Sequence, residues 1–186
     1  MYAGHLDLHH PLVWTVDHAL PPALCADYIR RMREGAAEVA PIIGKHGSAE
    51  IDLATRNNTR VMWDDAAEAG ELLARVAAHV PERLLGMRLF GANPRLRLYR
   101  YAPGQKHGAH WDTVVELGGG VRSLVTLVFY LNDDFEGGAT DFPELSRRIA
   151  PRAGSALLFQ HRVLHEAQSV TAGEKLVLRT DVLYQP

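Results

Sequence analysis

Residues 122–131 read RSLVTLVFYL, and residues 132–138 continue NDDFEGG. The first stretch is crowded with β-branched and aromatic side chains, and the second with Asn, Asp and paired Gly. That is the pattern of a strand running into a turn. Working outward, the same pattern recurs in RLRLYRYA (95–102), ATDF (139–142), SALLFQ (155–160), EAQSV (166–170) and KLVLRTDVLY (175–184). Each is bounded by Gly, Pro or charged turn residues. In the first of these, Leu96 and Leu98 alternate with Arg97, Tyr99 and Tyr101, which sets the two groups on opposite faces of a strand. Several short strands at this spacing predict a sandwich, barrel or jelly roll.

Before residue 93 the sequence has a different period. PPALCADYIRRMREGA (21–36) opens on prolines, which suit a helix start, and sets Leu24, Tyr28 and Met32 on one face. DDAAEAGELLARVAAHV (64–80) carries Asp65 and Glu68 at capping-box spacing, an apolar stripe of Leu72, Leu73, Val76, Ala77 and Val80, and a stop at Pro81. Between them, APIIGKHGSAEIDLATRNNTR (40–60) is rich in turn formers and reads as a long surface loop with at most one short strand. The expectation is a mainly β (α+β) single domain over residues 1–186. Its N-terminal helical support covers about 1–92, and the β-core about 93–186.

Composition narrows the classes of function. A chain of 186 residues with net charge −2 and interspersed acidic and basic side chains lacks the basic surface of a nucleic-acid binder. The longest apolar run, Leu124–Leu131, is strand-length and too short to span a bilayer. A single cysteine, Cys25, forms no internal disulfide and suits a reducing cytoplasm, and the N-terminus does not read as a signal peptide. Ten histidines are the one compositional oddity, and they direct attention to metals.

KHGAHWDT (106–113) contains the decisive triplet. Two residues apart on a strand, His110 and Asp112 point to one face and Trp111 to the other. An ordinary His–Asp hydrogen bond would use the same arrangement. Downstream, FQHRVLHEAQSV (159–170) offers His161 and His165, either of which completes two histidines and a carboxylate, the facial set of non-haem Fe(II) oxygenases. His165 begins an alternating segment, whereas His161 follows LLFQ into a turn, so His165 is preferred.

At this point the sequence resembles the catalytic domain of prolyl 4-hydroxylase-type Fe(II)/2-oxoglutarate dioxygenases. RLYRYAPGQKHGAHWD (97–112), SLVTLVFYLNDDFEGGATDF (123–142) and PRAGSALLFQHRVLHEAQSVTAGEKLVLRTDVLY (151–184) carry the resemblance, in order and spacing. It implies a double-stranded β-helix (a jelly roll) flanked by the N-terminal helices, with His110, Asp112 and His165 as iron ligands. It also implies 2-oxoglutarate and O2 as co-substrates and ascorbate as the reductant that keeps the iron ferrous. The primary substrate would be a prolyl or amino-acid-like small molecule or peptide, hydroxylated at a C–H bond.

The resemblance places the cation that holds the co-substrate's distal carboxylate at Lys175, ten residues after His165. Arg179 shares that strand face, and its guanidinium would grip a carboxylate bidentately, so both remain candidates. Tyr130 matches a residue that hydrogen-bonds the same carboxylate in relatives, Tyr101 matches another pocket tyrosine, and Thr126 shares the face of Tyr130. Each of these aromatic residues would otherwise be a core tyrosine with a satisfied hydroxyl. Arg56 and Asn58 resemble a segment beside the mouth of the site and are the candidates for substrate contact; otherwise they belong to a polar loop. His107 is left at the rim. Gly137 and Gly138 are assigned to a tight turn. The competing reading is a cupin-like metal-binding or sensor protein that binds a metal without oxygenase turnover.

Overall fold

The strand Lys175–Gln185 organises the molecule. In this computed structural model, which describes residues 5–43 and 48–186, it pairs antiparallel with Arg122–Tyr130 on one side. On the other side it pairs with Arg95–Tyr101 and, along its C-terminal half, with Met87–Ala92. Beyond Arg122–Tyr130 lie Ala156–Gln160 and the edge strand Val13–Val16; beyond Arg95–Tyr101 lie Thr59–Asp64 and Glu38–Val39. A smaller sheet runs in the order Arg147–Ile149, Thr140–Phe142, His165–Ala167, His107–His110. All these pairings are antiparallel.

Alternation along the central strands sends apolar residues both ways, so the large sheet is buried on both faces. Leu96, Leu98, Leu127, Phe129, Leu158 and Leu178 point toward the helices α1 (Pro22–Glu34) and α2 (Ala66–Ala74) and pack with Tyr28, Met32, Leu72 and Val76. Tyr99, Tyr101, Tyr130, Leu157, Phe159 and Val177 point the other way, toward Phe142, Val163 and Val170. The result is the expected jelly-roll architecture: a mainly β core with helices on one side. The double burial carries much of the stability, since truncating a fully enclosed ring such as Phe129 to alanine costs about 3–5 kcal/mol.

Three local expectations change. Strands Val13–Val16, Thr59–Asp64 and Met87–Ala92 come from the N-terminal half, so that half adds to the sheet as well as supporting it with helices. Their apolar alternation is short or interrupted by charged residues, and sheet pairing supplies the order that propensity does not. The second helix ends at Ala74, and a tighter turn follows in which the Val76 amide bonds the Leu73 carbonyl and the His79 amide the Val76 carbonyl. That turn lets both Val76 and Val80 reach the core. The capping box is half formed: Asp65 accepts from the Glu68 amide at 2.9 Å. The Glu68 side chain turns instead to Arg31, Trp63 and Tyr28.

His46, one of the ten histidines, lies outside the described residues. No described helix is long and apolar enough to cross a membrane.

Candidate active site

His110 closes its short strand and sits directly opposite His165 on the neighbouring one. Asp112 lies just past the strand end, where its amide donates to the His161 carbonyl at 3.2 Å. Register and turn thus bring three distant positions to one point: one donor atom from each of His110, Asp112 and His165 lies within 4.8 Å of the others. Each imidazole is oriented from behind. His110 Nδ1 is 2.8 Å from the Gly108 carbonyl, and His165 Nδ1 is 3.0 Å from that of Val163. With Nδ1–H donated to a carbonyl, the lone pair rests on Nε2, which faces the shared point. Phe159 packs against the His165 ring, centroids 4.4 Å apart.

Electrostatics favour the ligating form of all three. Burial lowers His110 to about 3 and also lowers His165, so both rings are neutral. Burial alone would raise Asp112, but its neighbours, led by the Arg179 guanidinium, hold the carboxyl well below its usual range. Arg179 Nη1 is 2.8 Å from one carboxylate oxygen, and the Thr126 hydroxyl donates to the other at 2.5 Å. His110 Nε2 is buried with no hydrogen-bond partner. An orphaned lone pair beside a second imidazole and an ionised carboxylate fits a divalent metal of the two-histidine, one-carboxylate class.

One cavity joins this cluster to the remaining candidates. Its wall includes Arg56, Tyr101, Thr126, Tyr130, Lys175 and Arg179. The two candidate anchors differ. Arg179 reaches both Asp112 and Asp181, the latter at 3.2 Å. Lys175 has no carboxylate partner among the described residues. Its Nζ donates to the Gly138 carbonyl at 2.6 Å and lies 5.3 Å and 5.5 Å from the ring centres of Tyr101 and Tyr130. Burial pulls this lysine down to about 7. The Tyr130 hydroxyl pairs with that of Thr140 at 2.8 Å. Gly137 and Gly138 have φ of 74° and 64°, as a tight turn there requires, and the second also lends its carbonyl to Lys175.

Other expectations shift. Asn58 is fully buried and is not part of the cavity wall; its side-chain oxygen accepts from Arg56 Nε at 2.9 Å, so it braces the guanidinium instead of facing the opening. His161 stands apart from the triad, 3.7 Å from Asp181. His107 is not at the rim. It is buried, lines the cavity, and stacks on His110 with centroids 3.6 Å apart. Trp111 turns outward and is 39% exposed.

Sequence reading passed over Tyr99, Thr140 and Asp181. Alternation already placed Tyr99 with Tyr101. Carrying the face of Lys175, Val177 and Arg179 one step further reaches Asp181.

Against known proteins, a profile of the 2OG-Fe(II) oxygenase superfamily matches residues 96–180. The matched stretch contains all three triad residues and both anchor candidates. A putative prolyl 4-hydroxylase of Acanthamoeba polyphaga mimivirus is 31% identical over 44% of this chain and 41% of its own length. A PKHD-type hydroxylase of Sphingopyxis alaskensis is 35% identical over 45% of this chain, again 41% of its own length. The chain therefore aligns with less than half of either relative. A PKHD-type hydroxylase of Acaryochloris marina aligns more widely, 28% identical over 89% of this chain and 75% of its own.

Solved structures share the fold. A Pseudomonas putida prolyl-4-hydroxylase superposes with a TM-score of 0.65 at 22% identity, covering 95% of each chain. A prolyl hydroxylase of Trichoplax adhaerens, in complex with a hypoxia-inducible-factor peptide fragment, gives 0.67 at 17% identity, covering 94% of this chain and 84% of its own.

Proposed function

We propose that the chain is an Fe(II)- and 2-oxoglutarate-dependent dioxygenase that hydroxylates a C–H bond of a prolyl or amino-acid-like substrate. The observation that carries this reading is the convergence of His110, Asp112 and His165, with their donor atoms within 4.8 Å of one another and both histidines held as Nε2 donors. Overall, substrate, O2 and 2-oxoglutarate become hydroxylated substrate, succinate and CO2. The ferrous ion, when bound, supplies O2 binding and activation, and the protein supplies orientation, charge and dryness. Ascorbate as the reductant that keeps the iron ferrous is part of the proposal.

In this reading His110, Asp112 and His165 hold the iron. Thr126 and Arg179 fix Asp112 so that its carboxylate stays ionised and cannot swing. Lys175 takes the distal carboxylate of 2-oxoglutarate. It is a buried cation without a carboxylate, and such a group costs several kcal/mol until an anion arrives. The ring walls of Tyr101 and Tyr130 exclude water around it, and the paired hydroxyls of Tyr130 and Thr140 leave one O–H free to donate. Arg179, already balanced by two carboxylates, is the lesser candidate for this anchor.

Residues 1–186 act as one domain here, because strands from both halves share the large sheet. A reducing cytoplasm suits the single buried thiol of Cys25. A metal-binding or sensor protein without turnover would have no use for an unpaired lysine at the far end of the same cavity.

The test is succinate formation from 2-oxoglutarate with Fe(II) and O2. His110→Ala and Asp112→Ala are expected to abolish it. Full turnover in either variant would sink the proposal.

A further inference from the structure

Among the buried and partly buried cations near the cavity, Arg97 and Arg179 share Asp181, and Arg179 also holds Asp112. Lys175 is assigned above to the co-substrate. Arg56 is left over. It is 7% exposed and lines the cavity, yet its partners are all neutral. Nε donates to Asn58 Oδ1 at 2.9 Å, Nη1 donates to the Pro41 carbonyl at 3.0 Å, and the guanidinium carbon lies 4.8 Å from the centre of the Tyr99 ring. No carboxylate pairs with it among the described residues.

Two cavity neighbours make this a built site and not a stray side chain. His107 pairs with Arg56 across a β-bridge, stacks on His110 and lines the same cavity as both. The His107 ring makes no hydrogen bond to any described residue. The Tyr99 hydroxyl feels the excess positive charge: burial would raise it, but Arg56 first, then Arg179 and Arg97, outweigh that and lower it.

We propose that Arg56, assisted by the Tyr99 hydroxyl and the His107 ring, receives a carboxylate of the primary substrate. The substrate is then a free amino acid, or the C-terminal residue of a chain, and not an internal residue. This inference rests on the dioxygenase reading and narrows its substrate class. The physical reason is charge. An internal residue with an uncharged side chain brings only neutral amides to Arg56 and leaves a buried guanidinium without a counter-ion, whereas a terminal carboxylate meets it with two charge-assisted hydrogen bonds. Asn58 and the Pro41 carbonyl are positioning groups: they fix Nε and Nη1 and so aim the remaining donors.

The experiment uses the full chain with Fe(II) and 2-oxoglutarate in the absence of O2. The standard L-amino acids are titrated in three forms: free acid, N-acetyl acid and amide. Binding is read from the perturbation of the visible absorption of the Fe(II)–2-oxoglutarate complex. At least one acid should bind, with its amide weaker by about tenfold or more, corresponding to about 1.4 kcal/mol. Tight binding of the free acid alone identifies a metabolite, while binding of the N-acetyl acid as well identifies a chain terminus.

Arg56→Met should erase the acid-over-amide preference and leave 2-oxoglutarate affinity unchanged. Arg56→Lys should retain part of the preference. The wild-type comparison needs no variant, so a folding failure of Arg56→Met does not rescue the idea. Amides binding as well as acids, or no acid binding at all, overturns it. So does a loss of 2-oxoglutarate binding in Arg56→Met, which would put this arginine on the co-substrate. If the Fe(II)–2-oxoglutarate complex itself does not form in the wild type, the dioxygenase reading falls first and this inference falls with it.

Discussion

Lys175 and Arg179 stand on the same face of one strand and line the same cavity, Lys175 buried and Arg179 partly buried. Their surroundings differ in kind. Around Arg179 every charge has an answer: Asp112 at 2.8 Å, Asp181 at 3.2 Å, and Arg97 on the far side of Asp181 at 3.2 Å. Around Lys175 there are two aromatic faces, one carbonyl and no carboxylate among the described residues. A closed network of charges fixes a shape. A lone cation in a dry wall is strained until something anionic enters. The first arrangement builds the site, and the second equips it to bind.

The largest expected effect separates the two ends by stability. Arg179→Met removes the partner of Asp112 and half the cover of Asp181, and should destabilise the metal-free protein by about 3–5 kcal/mol in denaturant unfolding. Lys175→Met removes a cation with no carboxylate partner together with its hydrogen bond to the Gly138 carbonyl, so it should leave the metal-free stability within about 1 kcal/mol of the wild type or raise it. Equal losses in the two variants would dissolve the distinction.

Next comes binding. With the ammonium gone, Lys175→Met should weaken 2-oxoglutarate by roughly tenfold to a hundredfold, the worth of a charge-assisted hydrogen bond of about 1.5–3 kcal/mol. Calorimetry with Zn(II) in place of iron would measure this without turnover. A silent Lys175→Met would shift the anchor to Arg179.

The pH dependence is smaller and has a definite sign. Burial pulls Lys175 in the folded protein down to about 7, whereas in the unfolded chain it keeps its ordinary value of 10.5. Between those values the unfolded state carries the extra proton, so this group makes the metal-free protein more stable as pH rises through that window. The binding of 2-oxoglutarate runs the other way: it requires the ammonium, so affinity should fall above about pH 7, by up to tenfold per unit. Isothermal titrations from pH 6.5 to 9, compared with a flatter Lys175→Arg, would check both statements.

The smallest effect belongs to Tyr130→Phe. It removes one neutral hydroxyl paired with Thr140 and should cost 2-oxoglutarate affinity about 0.5–1.5 kcal/mol.

Much of this was legible before any coordinates. Alternation fixed the faces of the strands, and the face shared by Lys175, Val177 and Arg179 is the face that lines the cavity. The pairing of His110 with His165 over His161 could be anticipated from where the downstream alternation begins, and the structure sets His165 directly across from His110. Less visible was anything that depends on which strands meet. The edge strands Val13–Val16 and Thr59–Asp64 have too little apolar periodicity to announce themselves, and pairing gives them order. The burial of His107 goes with the pairing of residues 55–57 against 106–108, which includes a β-bridge between Arg56 and His107, a contact between segments about fifty residues apart that local pattern cannot encode. Whether Arg179 or Lys175 carries an unanswered charge depends on the distance to Asp112, which only the folded turn after the strand sets.

The central claim is that His110, Asp112 and His165 hold a ferrous ion to which 2-oxoglutarate binds, with its far end on Lys175. Anaerobic absorption spectroscopy tests it most directly. Adding Fe(II) and 2-oxoglutarate to the wild-type chain should produce the weak visible charge-transfer band of such a complex, and Asp112→Ala and His165→Ala should lack it. A wild type without the band, or either variant that keeps it at full intensity, would contradict the account.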